Sequence, residues 1–160
     1  MADSTAQAAF MREAIRLAID GVAKGQGGPF GAVVVKGDQI IGRGCNCVTS
    51  TNDPTAHAEV MAIRDACRQL GDFHLAGCDL YTSCEPCPMC LAAIYWAHHS
   101  RFYFGCTAQQ AAAAGFADDF IYHELALPLA ARSIAAAQLL SDEATATFQA
   151  WQNKPDRVEY

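Results

Sequence analysis

The 160-residue sequence has no apolar run approaching the roughly 20 residues that a membrane-spanning helix needs, which argues against a membrane-embedded chain. It also lacks a charged-then-apolar leader, since Ala2-Asp3-Ser4-Thr5 runs directly into an amphipathic stretch. Basic residues are few, 11 against 17 acidic, and the net charge of −6 offers little to a polyanion. They are scattered from Arg12 to Arg157 rather than clustered, so a small uncharged substrate is favoured over nucleic acid. No internal repeat, low-complexity run or linker divides the chain. One domain over residues 1–160 is expected; a chain of this size, 52% hydrophobic, buries about 70% of its unfolded surface without disulfides. Cysteine is the abundant exception, with eight residues. Without a leader, these read as reduced thiols in a cytoplasmic protein.

Hydrophobic periodicity predicts alternating helices and strands. Ser4 and Gln7 can form a capping box, and Phe10, Ala14, Leu17, Ala18 and Val22 recur at helical spacing until Gly25. After the breaker Gly27-Gly28-Pro29, residues 30–35 and 39–44 read as an antiparallel hairpin. A polar loop over 49–55 leads to a helix that starts near His57 and stops at Gly71. Residues 78–82 read as a strand, with Pro86 well placed just ahead of a following helix. Further along come a strand at 101–106, an alanine-rich helix at 107–114, a fifth strand at 134–139 and a helix opening on Ser141-Asp142-Glu143. The tail, 154–160, has no helical pattern. Strand and helix in alternation predict an α/β layer structure.

Two segments about thirty positions apart carry chemistry: Thr55-Ala56-His57-Ala58-Glu59, and Ser83-Cys84-Glu85-Pro86-Cys87-Pro88-Met89-Cys90. They read H-x-E and P-C-x-x-C, the pattern of zinc-dependent base and nucleoside deaminases. His57, Cys87 and Cys90 supply the three ligands that a catalytic zinc needs if a fourth position is to hold water. Cys84 extends the run to C-x-x-C-x-x-C, so a closed structural site of one His and three Cys competes. Against this, Cys84 sits at a strand end before Pro86, where extended backbone turns its side chain elsewhere, and Glu59 has no task in a closed site. In an open site zinc brings the pKa of water to about 7 and Glu59 can accept its proton. Attack on an amidine-like ring carbon follows, and Glu59 returns protons to the ring nitrogen and the leaving amine. Cys67, Cys78 and Cys106 read as small buried hydrophobes.

Over nearly its whole length the chain resembles the bacterial guanine deaminases of the cytidine deaminase superfamily. The likeness runs through Gly27-Gly28-Pro29-Phe30-Gly31-Ala32, Asn52-Asp53-Pro54-Thr55-Ala56-His57-Ala58-Glu59, the cysteine segment, Gly115-Phe116, Phe148-Gln149-Ala150-Trp151 and the terminal Glu159-Tyr160. The resemblance implies a three-layer α/β/α sandwich around a five-stranded mixed sheet, one Zn2+ per subunit, and conversion of guanine and water to xanthine and ammonia. It implies a homodimer in which a C-terminal segment, residues 154–160, is exchanged between subunits. It also implies a substrate-binding set: Asn46 as an amide offering donor and acceptor, Phe30 packing on the purine face, Asp118 at the substrate's edge, Tyr160 closing the pocket from the partner chain, and Trp96 as a further pocket aromatic. From the residues alone, Phe30 could be core, Asn46 a turn residue, Asp118 a helix cap and Tyr160 a loose end. Trp96, nine positions past Cys87, falls about 180° around an ideal helix from it.

Overall fold

Alternation along β1 (Gly31–Lys36) sends Ala32 and Val34 to one face of a sheet and Val33 and Val35 to the other, and all four are buried. The structure, a computed structural model, describes residues 4–160. β1 pairs antiparallel with β2 (Gln39–Cys45) and with β3 (Cys78–Cys84), and β3 pairs in parallel with β4 (Arg101–Cys106). The sheet order is β2-β1-β3-β4. Gly37, at φ +61°, turns the β1–β2 hairpin.

Helices cover both faces. α1 (Ser4–Ala23) lays Phe10 against Tyr81, with Val33 and Val35 beside them. On the opposite face α3 (Ala58–Leu70) buries Ala58, Ala62 and Ala66 against Ala32, Val34 and Leu80, and Ile94 of α4 (Pro88–Trp96) joins the same cluster. The small residues let α3 lie very close to β2. A Cβ on Gly44 would run into the Ala58 carbonyl oxygen, so only glycine permits this approach. The start of α3 is thereby held against the sheet.

Several expectations shift. A one-turn helix α2 (Val48–Thr51) replaces the first half of the expected polar loop, with Thr51 and Ser50 hydroxyls donating to the Cys47 carbonyl. The cysteine-bearing helix starts at Pro88, two residues past Pro86, with Cys87 as the N-cap. α5 (Ala108–Ala113) opens on a capping box of Thr107 and Gln110. α6 (Asp119–Ala126), a 3-10 turn (Leu129–Ala131) and α7 (Ser141–Gln152) follow. The sheet has four strands among the described residues, not five: residues 134–139, expected as a fifth, form no ladder. A strand needs a neighbour's backbone groups as well as a pattern.

The chain divides into two compact units, the first ending at Asp119 and the second comprising Phe120–Tyr160. Every strand belongs to the first. No helix is long and apolar enough to cross a membrane among the described residues.

Candidate active site

Three backbone ends meet at one face of the first unit. His57 is the N-cap of α3, in extended conformation, and Cys87 is the N-cap of α4. The turn ahead of His57 is set by Asp53, whose Oδ1 accepts from the Thr55 amide at 2.8 Å and the Thr55 hydroxyl at 2.6 Å. These bonds hold the Asp53 carboxyl below its ordinary pKa. The Cys47 amide donates to the Ala56 carbonyl at 2.9 Å, which ties this turn to the end of β2.

His57 Nδ1 lies 3.5 Å from Cys87 Sγ and 3.5 Å from Cys90 Sγ. A tetrahedral zinc, with Zn–S of about 2.3 Å and Zn–N of about 2.1 Å, holds nitrogen and sulfur about 3.6 Å apart. The three ligand atoms all fall within 4.8 Å of one another, so the donor set fits such an ion in both chemistry and spacing. The two thiols share protons unequally. A hydrogen bond from Cys90, with the His57 ring beside it, holds Cys87 down at about 4, while the same bond and burial push Cys90 up. A soft cation replaces the shared proton and takes both sulfurs as thiolates.

Cys84 points away. It is buried and its thiol donates to the Thr107 carbonyl at 3.8 Å, and burial pushes it up to about 11. Among the described residues the metal-holding group consists of His57, Cys87 and Cys90. Glu59, in the first turn of α3, is 6% exposed and its Oε2 lies 3.4 Å from Cys90 Sγ. Burial raises its pKa. A carboxyl so placed can exchange protons with a group at the open side of the metal without itself being a ligand.

The loop 26–30 and the strand end at Asn46 are packed on each other. Asn46 is 6% exposed, and its Oδ1 accepts from the Gly28 amide at 3.1 Å and the Val48 amide at 3.2 Å. Both bonds fix the amide's orientation, so only its NH2 remains to serve a ligand, whereas the sequence suggested donor and acceptor alike. Gly27 carries no Cβ because one would collide with Asn46 Oδ1. Phe30 stands edge-on to Phe116, ring centres 5.0 Å apart. Asp118 is half-buried; desolvation raises its pKa, the Cys87 charge adds to the rise, and its own charge raises His57. It therefore lies within electrostatic reach of the metal group.

Sequence reasoning passed over three supports. Ser83 Oγ accepts from the Gly31 amide at 3.1 Å, fastening the Phe30 turn to β3. Glu85 Oε2 accepts from the Ala108 amide at 2.9 Å and so anchors the segment that leads to Phe116 and Asp118. Gln26 accepts the Cys45 thiol at its Oε1 and the Ser50 amide at its backbone oxygen. Ser83 and Glu85 lie inside the cysteine segment, which was the one available signal. Trp96 is not gathered into the site: it ends α4 and is 67% exposed, about 12 Å along the axis from Pro88. Tyr160 belongs to the second unit and is 75% exposed.

A model of the cytidine and deoxycytidylate deaminase zinc-binding region matches residues 4–106. The guanine deaminase of Bacillus subtilis strain 168 is 52% identical over 151 residues, 94% of this chain and 97% of that protein. An X-ray structure of guanine deaminase from Bacillus subtilis has a TM-score of 0.93 at 51% identity, covering 100% of this chain and 99% of that one. A tRNA-specific adenosine deaminase of Aquifex aeolicus is 46% identical over 85 residues, 53% of this chain and 56% of that protein. The metal-holding triad, the buried carboxylate beside it and these likenesses agree: the chain belongs to the cytidine and deoxycytidylate deaminase zinc-binding family, in its guanine deaminase branch.

Proposed function

We propose that this protein hydrolyses guanine to xanthine and ammonia. The observation that carries this reading is the likeness to the Bacillus subtilis guanine deaminase over 94% of the chain, where the tRNA-specific enzyme of Aquifex aeolicus matches only 53%. Net charge of −6 also disfavours a tRNA substrate. Ammonia release from guanine, adenine, cytosine, cytidine and amino-triazines tests it. Guanine should be turned over far faster than the others; preference for any other compound would refute the assignment.

His57, Cys87 and Cys90 would hold the zinc, which supplies Lewis acidity that makes water nucleophilic near neutral pH. Glu59 takes the proton of the attacking water, then delivers protons to the ring nitrogen and to the departing amine. Its buried position favours this work, because a raised pKa brings the carboxyl closer to the pH at which it must both accept and donate. Asn46 donates its NH2 to an acceptor on the purine edge, and its locked carbonyl keeps that donor pre-oriented. Phe30, backed edge-on by Phe116, packs on the ring face. Asp118 accepts from a ring N–H.

The pocket is completed across a subunit boundary. The second unit exposes Ile134, Leu139, Leu140, Phe148 and Tyr160, each at 69% or more, while α1 exposes Ile15, Ile19 and Val22 beside an apolar groove. Apolar surface on this scale is characteristic of an interaction face. A homodimer that exchanges its C-terminal segment, residues 154–160 with Tyr160 at the end, would cover such faces and bring Tyr160 and Trp96 of facing copies to the pocket. Residues 134–139 would find a strand partner in the same exchange. The reaction consumes a free purine base, which suits a cytoplasmic enzyme of purine breakdown.

A further inference from the structure

Two cysteines outside the metal group flank Asn46. Cys45 closes β2, Asn46 follows it, and Cys47 is the N-cap of α2. Their sulfurs lie 3.7 Å apart, and both residues are partly exposed. Neither thiol takes part in the chemistry described above.

Both backbones are pinned. Cys45 is in register with Gly31 of β1. The Cys47 amide donates to Ala56 at 2.9 Å, and its carbonyl accepts from the Thr51 amide at 3.0 Å. A disulfide requires an S–S distance of about 2.0 Å, so the sulfurs must close by about 1.7 Å from where they stand. The bridge would close a small ring that contains both peptide units of Asn46, so side-chain rotation of the two cysteines and those peptide units share the closure. The peptide units are the ones whose orientation keeps Asn46 Oδ1 on the Gly28 and Val48 amides. Closure also removes the thiol proton that Cys45 donates to Gln26 Oε1 at 3.0 Å, loosening the residue that ties the glycine loop to α2.

We propose that Cys45 and Cys47 form a reversible modification site, oxidised to a disulfide by low-molecular-weight disulfides, and that closing it disables the Asn46 seat for the substrate. The step balances. The Cys47 thiolate attacks one sulfur of R–S–S–R, giving Cys47–S–S–R and releasing one thiolate. The Cys45 thiol gives its proton to solvent, its sulfur attacks the Cys47 sulfur, and the second thiolate leaves. Two protein thiols are oxidised to one disulfide while the reagent disulfide is reduced to two thiols. Burial, with the Cys47 thiol alongside, pushes Cys45 up to about 11, so Cys45 is the resolving thiol and closure accelerates as pH rises.

The consequence for substrate rests on the reading of Asn46 given under the proposed function, and the test separates the two. The zinc-loaded protein is incubated with glutathione disulfide, free thiols are alkylated, and the protein is digested with trypsin. Cleavage after Arg43 and Arg64 yields residues 44–64, in which Cys45 and Cys47 are the only cysteines. The expected peptide is two hydrogens lighter than its reduced form and carries no alkyl group, with zinc content unchanged. KM for guanine should rise about tenfold or more, return to its starting value with dithiothreitol, and not respond to glutathione disulfide in the double variant Cys45→Ser, Cys47→Ser. A doubly alkylated peptide, or one that stops at the glutathione adduct, overturns the proposal. So does a closed disulfide with unchanged KM; if Asn46→Asp leaves KM unchanged as well, the fault lies with the purine reading and not with the sulfurs.

Discussion

Asn46 has a structural task at its Oδ1 and a proposed substrate task at its NH2, and substitution separates them. Its Oδ1 accepts from the Gly28 and Val48 amides, and its NH2 is the donor assigned to the purine in the proposed function. Asn46→Ala removes the shared acceptor and orphans both backbone donors, at about 1 to 3 kcal/mol each if water cannot reach them. Asn46 is only 6% exposed, so partial hydration is limited and a combined loss of about 2 to 6 kcal/mol is expected. In a protein of this size that lowers Tm by about 5 to 20 °C. Asn46→Asp keeps an oxygen of the same reach for both amides, so Tm should fall far less. It also replaces the outward donor by a carboxylate oxygen that meets an acceptor on the base. Loss of that hydrogen bond plus the mismatch should cost about 2 to 4 kcal/mol in kcat/KM, a factor of about 30 to 1,000. Differential scanning calorimetry and ammonia release on the two variants therefore give a crossed pattern: Ala loses stability and activity, Asp loses activity alone. If Asn46→Ala is as stable as the parent, the carbonyl is not locked. If Asn46→Asp keeps kcat/KM within threefold, the NH2 is not the donor that reads the base.

Glu59→Gln should retain one zinc per chain by elemental analysis while kcat falls by about 10² to 10⁴; loss of metal would make Glu59 a ligand or prop instead. Cys90→Ser, or dialysis against a chelator, should abolish metal binding and lower Tm, because an ion that binds only the folded state stabilises it by mass action; restored zinc should rescue the dialysed protein but not the variant. Gly44→Ala drives a methyl group into the Ala58 carbonyl at the start of α3; a Tm lower by several degrees and weakened zinc affinity are expected, since the helix carrying His57 must shift. Removing residues 158–160 should reduce turnover much more than zinc content, and equal activity in the shortened chain would refute a role for Tyr160 in closing the pocket.

What could be read from the sequence, and what could not, follows the distance over which each feature is encoded. α3 was legible because a 3.6-residue apolar period and the Gly71 stop lie within fifteen positions. The spacing of Cys87 and Cys90 was legible for the same reason, with Pro86 ahead of α4 as expected and Pro88 its first residue. Cys84 carried an ambiguity that spacing alone left open, and it is settled by the end of β3, whose direction sends the thiol to Thr107. The lock on Asn46 was invisible: it depends on Gly28, 18 residues away, and on a glycine at position 27 that reads in sequence as a mere breaker. Residues 134–139 show the limit most clearly. They were expected to form a fifth strand, but they join no ladder among the described residues. Features encoded locally thus specify the metal and the proton carrier. The residues proposed to discriminate one base from another, Asn46 and Phe30 among them, lie on a loop and a strand end whose packing partners are distant in sequence. Substrate preference in this fold should therefore change through substitutions that leave zinc affinity untouched.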